Sequence, residues 1–183
     1  MPKIASTFDP AAVEWRRVSD LADPSCRIDF EYSLLGYDLP SGRLDMLLRY
    51  GPGKGHCRRH RHVAATVTMV LEGEQFVTDL LPDGARAATV HRRKGDYAVA
   101  AGDAHPHDEH GGEHGGTVLL SLNAGPDGVL FEYFDENMEN PWQLTIREYV
   151  DAWEKGAMHG ARTQTAPESA PETAPETTRG AAE

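Results

Sequence analysis

The chain has 183 residues and carries 18 Lys and Arg against 29 Asp and Glu, a formal charge of −11, a size suited to one domain of ordinary length. That charge repels nucleic acid and anionic membrane surfaces, and no apolar run approaches the ~20 residues needed to cross a bilayer. With no basic-then-apolar leader at its start and only two cysteines, Cys26 and Cys57, the expectation is a soluble cytoplasmic protein without a disulfide framework.

Residues 1–26 form an N-terminal segment in which the pattern over 11–21 predicts a short helix. A single domain is expected over residues 27–160. Within it, β-prone runs recur at 28–32, 44–50, 66–71, 75–80, 87–91, 96–100, 117–122 and 129–134, separated by Gly, Pro and Asp. This is the pattern of an antiparallel sandwich or barrel, so the fold class read here is all-β. Leu71-Glu-Gly-Glu74 and Leu81-Pro-Asp-Gly84 read as hairpin turns in which glycine supplies the positive φ. A helix is predicted over 145–155, because Thr145 and Glu148 have capping-box spacing. Ile146, Tyr149, Val150 and Trp153 then make one apolar stripe, expected to dock on the outside of the barrel or on a partner subunit. Residues 161–183 repeat a Thr/Ser-Ala-Pro-Glu unit with no large apolar side chain, a composition expected to stay disordered.

Eight of the nine histidines lie between His56 and His114. His60 and His62 flank Arg61 just before a predicted strand, and in extended chain residues i and i+2 point to one side. Two imidazoles then face one point, where a borderline divalent metal would need a third ligand from elsewhere in the fold. His105, following a strand and the turn 101–104, is the candidate, with His107 as its substitute. The rest of the run, through His110 and His114, reads as a polar, Gly-rich loop. Arg58, Arg59 and Arg61 read as a solvated patch from which one guanidinium could meet a substrate carboxylate, and Cys57 as a buried residue without a base to activate it.

These residues resemble the two signature motifs of the cupin superfamily. The first is similar over Gly55 (or Gly53), His60, His62 and Gly73; the glutamate usual between the histidines and the last glycine is replaced by Thr66. The second is similar over Gly95, Asp96, Gly102 and His105, with Ala100 where proline is usual. The resemblance implies a cupin jelly-roll β-barrel with a short C-terminal helix, holding a metal on His60, His62 and His105. Thr66 and Tyr97 are expected to line the pocket or support the ligands. The missing glutamate makes the site similar to those of three-His dioxygenases that cleave diketones. The chain end, with Gly125-Pro-Asp-Gly128 and Tyr149, resembles small cupins of the dihydroxyacetophenone dioxygenase type and sensor domains of anti-sigma factors.

The function this implies is a metal-dependent dioxygenase that cleaves a carbon-carbon bond of an enolisable diketone or hydroxyketone. Iron(II) is the expected ion, with Mn, Ni, Cu or Zn as alternatives. The partners expected are a small-molecule substrate, dioxygen and a second copy of the chain in a homodimer. The alternatives are a redox-neutral isomerase, lyase or decarboxylase, which would need a positioned acid or base, and a non-enzymatic sensing cupin. No acid or base is assignable, although Glu31, Tyr97 and Glu132 are available.

Overall fold

The computed structural model describes residues 13–20, 27–52 and 55–156; the predicted tail at 161–183 lies outside them. Ten strands and one helix follow in order: β1 (Arg16–Asp20), β2 (Ile28–Asp38), β3 (Arg43–Tyr50), β4 (His60–His62), β5 (Ala65–Leu80), β6 (Arg86–Arg93), β7 (Tyr97–Ala100), β8 (His107–Asn123), β9 (Val129–Tyr133), β10 (Trp142–Thr145) and α1 (Ile146–Glu154). Every pairing is antiparallel except an isolated bridge between Ile28 and His56. The main path runs β1-β2-β3-β8-β4-β9-β10, and β5 pairs with β6, β7 and β8. No described helix is long and apolar enough to cross a membrane.

The sheet curls because alternate residues of its strands want opposite environments. Leu44, Met46, Leu48 and Tyr50 on β3, Val118, Leu120 and Leu122 on β8, and Thr66, Thr68 and Val70 on β5 are all buried on the concave side. The cross-strand row Leu44–Leu122–Thr66 shows the three strands sharing that face. Tyr97 and Val99 of β7 face outward, each 64 % exposed, so Tyr97 does not take the pocket position expected of it.

Three elements differ from the sequence reading. Residues 16–20 form an edge strand and not part of a helix over 11–21: only Val18 turns inward, and Arg17 clamps Asp29 of β2 at 2.8 and 2.9 Å, a period-two pattern. Residues 11, 12 and 21 lie outside the described chain. The expected turn at Gly73 is instead a bend inside one 16-residue strand, with register shifts on either side. Gly73 has φ +63°, and a Cβ there would stand 2.3 Å from Gly115 O, so glycine permits a bulge where two backbones touch. The expected loop at 105–114 is largely strand, since β8 begins at His107. Its glycines allow contacts no side chain would: a Cβ on Gly116 would lie 2.1 Å from Glu74 O.

The C-terminal helix has the predicted capping box. The Thr145 side chain accepts from the Glu148 amide, and the Glu148 carboxylate accepts from the Thr145 amide. Ile146, Tyr149, Val150 and Trp153 are buried, but within the barrel core and not on its outside. Tyr32 meets Tyr149 and Trp153 edge-on, with centroids 5.7 and 5.3 Å away. Arg16 covers the other side of Trp153, its guanidinium 3.8 Å from the ring centroid, and donates to the Trp153 carbonyl. The helix therefore closes the barrel from its own chain.

Candidate metal centre

The H-x-H pair forms β4, a three-residue strand between β8 and β9. His60 and His62 point inward, while Arg61 turns outward to pair with Glu132 at 2.6 Å. Across the ladder His60 stands opposite His107, the first residue of β8. The ligand-capable atoms of His60, His62 and His107 all lie within 4.8 Å of one another, and all three residues are buried. His105 is exposed and outside this group. The turn from β7 is two residues longer than the motif reading assumes, so the strand's inward alternation begins at His107.

The hydrogen-bond partners determine where each ring carries its proton. His60 Nδ1 lies 2.6 Å from Arg58 O and His107 Nδ1 lies 2.9 Å from His105 O; a carbonyl only accepts, so both Nδ1 atoms are donors. His62 Nδ1 lies 2.9 Å from Thr66 Oγ1, whose single hydrogen goes to Ala64 O at 3.0 Å. That hydroxyl must accept from His62. In the neutral rings all three Nε2 atoms then carry lone pairs, the tautomer metal binding requires, and the backbone and Thr66 hold their orientation.

Burial keeps His60 and His62 neutral. Desolvation, followed by the neighbouring His107, pushes His60 down to about 4, and desolvation followed by His60 drives His62 well below its ordinary value. The Nε2 atoms of His60 and His62 are 3.2 Å apart. Two lone pairs at that distance gain nothing from each other and call for a cation between them. The donor set thus fits a divalent metal of borderline softness.

One functional side chain escapes the sequence reading. Glu109 follows His107 by two residues on β8, shares its inward face and is 2 % exposed. Its Oε1 lies 3.9 Å from His60 Nε2, and Gln75 Nε2 holds Oε2 at 2.6 Å. Burial alone would raise Glu109, but the facing His60 and His107, followed by Tyr50 and Cys57, turn the net shift downward. Reading 105–114 as strand would expose this signal, since Glu109 sits at i+2. Glu31 and Glu132 are not at the site; they pair with Arg49 and Arg61 at 2.7 and 2.6 Å. His110 packs edge-on against His56, centroids 4.9 Å apart, and stacks on Phe76, while His114 is exposed. Cys57 is buried beside Tyr50 OH at 3.3 Å, and burial raises its thiol well above its ordinary value.

Behind His60 an apolar recess is walled by Met46, Leu48, Leu120, Phe131 and Tyr149, with Glu109 among its few polar groups. The space open to a water centre is ≈ 20 Å³, room for about one water-sized group.

No protein-family model matches the chain, and no curated protein sequence matches it. Solved structures do. A protein of Methylibium petroleiphilum PM1, provisionally described as an acetylacetone dioxygenase, superposes with a TM-score of 0.57 at 15 % identity, over 82 % of this chain and 96 % of that one. The chain has the cupin fold. An RmlC-like cupin from Shewanella frigidimarina aligns over 69 % of this chain and 97 % of its own, with a TM-score of 0.45 and 16 % identity. A Bacillus subtilis oxalate decarboxylase variant aligns over 82 % of this chain but 37 % of its own length, with a TM-score of 0.48 and 21 % identity.

Proposed function

We propose that this cupin is a metal-dependent enzyme, and specifically a dioxygenase that cleaves a carbon-carbon bond of an enolisable diketone or hydroxyketone. The observation that carries the reading is the convergence of three buried imidazoles, His60, His62 and His107, with threonine where a motif glutamate would stand. Held by His60, His62 and His107, a divalent ion would keep its full charge and would supply Lewis acidity toward a chelating substrate oxygen. The protein's own contribution is orientation. Arg58 O, Thr66 and His105 O fix the rings, and the apolar wall around Phe131 and Leu120 excludes water from the reacting centre. The acetylacetone dioxygenase description of the Methylibium relative supports the same chemistry. Iron(II) is the ion this chemistry calls for.

Glu109 gives substance to a second reading, because a redox-neutral isomerase, lyase or decarboxylase needs a positioned acid or base. Oxygen uptake separates the two. Protein loaded anaerobically with Fe(II) and given dioxygen with a small diketone or hydroxyketone should consume about one dioxygen per substrate and release carboxylic acid products. Substrate turnover without oxygen uptake would replace the dioxygenase by the redo-neutral enzyme.

A further inference from the structure

The inward face of β8, which carries His107 and Glu109, continues across β5 to β6. Cross-strand register puts Glu109 beside Val77 and Val77 beside Val90; in the next inward row Gly111 stands beside Gln75 and Gln75 beside Arg92. Arg92 Nη1 donates to Gln75 Oε1 at 3.1 Å, and Gln75 Nε2 donates to Glu109 at 2.6 Å, which fixes Arg92 on the side of the sheet that faces the three histidines. The guanidinium is near enough to His62 for its charge to act on that ring. Every other residue of β6 is exposed, and Arg92 alone is half-buried. The inward face is therefore uncovered along β6, and the barrel opens beside Arg92.

A half-buried guanidinium favours a counter-charge. Arg17, Arg49, Arg61 and Arg86 each meet a carboxylate at 2.6–2.9 Å. Arg92 meets none among the described residues, in a chain whose formal charge is −11; its side-chain partner is the neutral amide of Gln75. With Nη1 committed there, the Nε–Nη2 edge keeps the fork geometry that a carboxylate takes with both oxygens. Between Arg92 and the histidines lies the row of Val77 and Val90, an apolar floor. With β5 between them, β8 and β6 stand about 10 Å apart, a gap that an arginine side chain and a short carbon chain together span. Resting on the metal-enzyme reading, we infer that Arg92 is a specificity-determining residue and that the substrate is an enolisable ketone bearing a carboxylate. Its chelating oxygens lie at the His60, His62 and His107 end, its carbon chain crosses Val77 and Val90, and its carboxylate takes Arg92.

The test is equilibrium binding to full-length protein loaded with redox-silent Zn(II), by calorimetry, using succinylacetone, a diketone with a carboxylate on a short methylene chain, and its methyl ester. The acid should bind at least about tenfold more tightly than the ester, because esterification removes the charge and leaves the guanidinium unpaired. In Arg92→Gln the preference should shrink to about twofold or less, through lost affinity for the acid with the ester little changed. Acid and ester binding equally to the wild-type protein overturns the assignment, a comparison that stands even if the variant fails to fold. Full preference retained in Arg92→Gln overturns it too. Either result leaves the metal-enzyme reading in place. If neither probe binds to zinc-loaded protein, the carboxylate-bearing class is wrong. Failure of the wild-type protein to hold zinc at all removes the metal reading, and this inference with it.

Discussion

The Nε2 atoms of His60 and His62 face each other at 3.2 Å, and neither has a hydrogen to offer, because each ring's proton is committed at Nδ1 to Arg58 O or Thr66 Oγ1. The pair is arranged for something positively charged to sit between it. A divalent ion binding there would find part of its affinity prepared in advance, as fixed tautomers and fixed ring planes.

Thr66→Val tests that support without touching a ligand. It keeps the side-chain shape but removes the oxygen that receives the His62 Nδ1 hydrogen, so divalent metal binding should weaken by about 10- to 100-fold, while Thr66→Ser stays near wild type. Competition against a chromophoric chelator measures both. Equal affinity in Thr66→Val would mean that the hydroxyl only decorates the strand.

His107→Ala and His105→Ala separate the two candidates for the third ligand. Loss of His107 removes an inward imidazole and should lower metal affinity more than about a hundredfold. His105→Ala should leave it within about twofold, because His105 contributes a backbone carbonyl, which alanine retains. The reverse order would restore the motif assignment of His105.

The buried imidazoles set an acid limit on the apo fold. The unfolded chain takes up a proton at His60 near 6.5, whereas the folded protein resists until about 4. Stability is therefore full above 6.5 and falls as the pH drops from 6.5 towards 4, by about 3 kcal/mol from this residue. His62, pushed lower still, extends the fall to more acid pH. Urea unfolding with chelator present at pH 7 and pH 4.5 measures the slope, which should be shallower in His60→Gln. A flat profile would show that the rings are protonated in the fold.

Helix α1 should behave as part of the barrel. Trp153→Ala removes a ring packed between Tyr32 and Arg16 and should cost about 3–5 kcal/mol in urea unfolding. Thr145→Ala, which breaks only the capping box, should cost about 1 kcal/mol. A near-neutral Trp153→Ala would place the helix outside the cooperative core.

The sequence makes legible those features that keep a simple period. The strands at 28–32 and 44–50, the capped helix and the H-x-H pair follow the alternation or spacing that their side chains display. What it hides is concentrated in β5 and β8. Gly73 in one strand and Gly111, Gly112, Gly115 and Gly116 in the other look like turn and loop residues, yet their missing side chains let two long backbones bend together. Ahead of that bend, and obscured by it, β8 starts at His107. With it came the inward His107, which the motif spacing offers only as the substitute for His105, and Glu109, which it passes over. The buried carboxylate therefore became visible only when cross-strand register placed it beside His60.

The central claim is that His60, His62 and His107 together hold one divalent ion. Titration of metal-free protein with Co(II), read from the visible spectrum and by elemental analysis after dialysis, tests it directly beside a His60→Ala, His62→Ala double variant that remains folded. The account predicts about one equivalent on the wild-type protein, with the spectrum of an imidazole-bound ion, and none retained by the variant. Equal binding by both, or none by either, would contradict it.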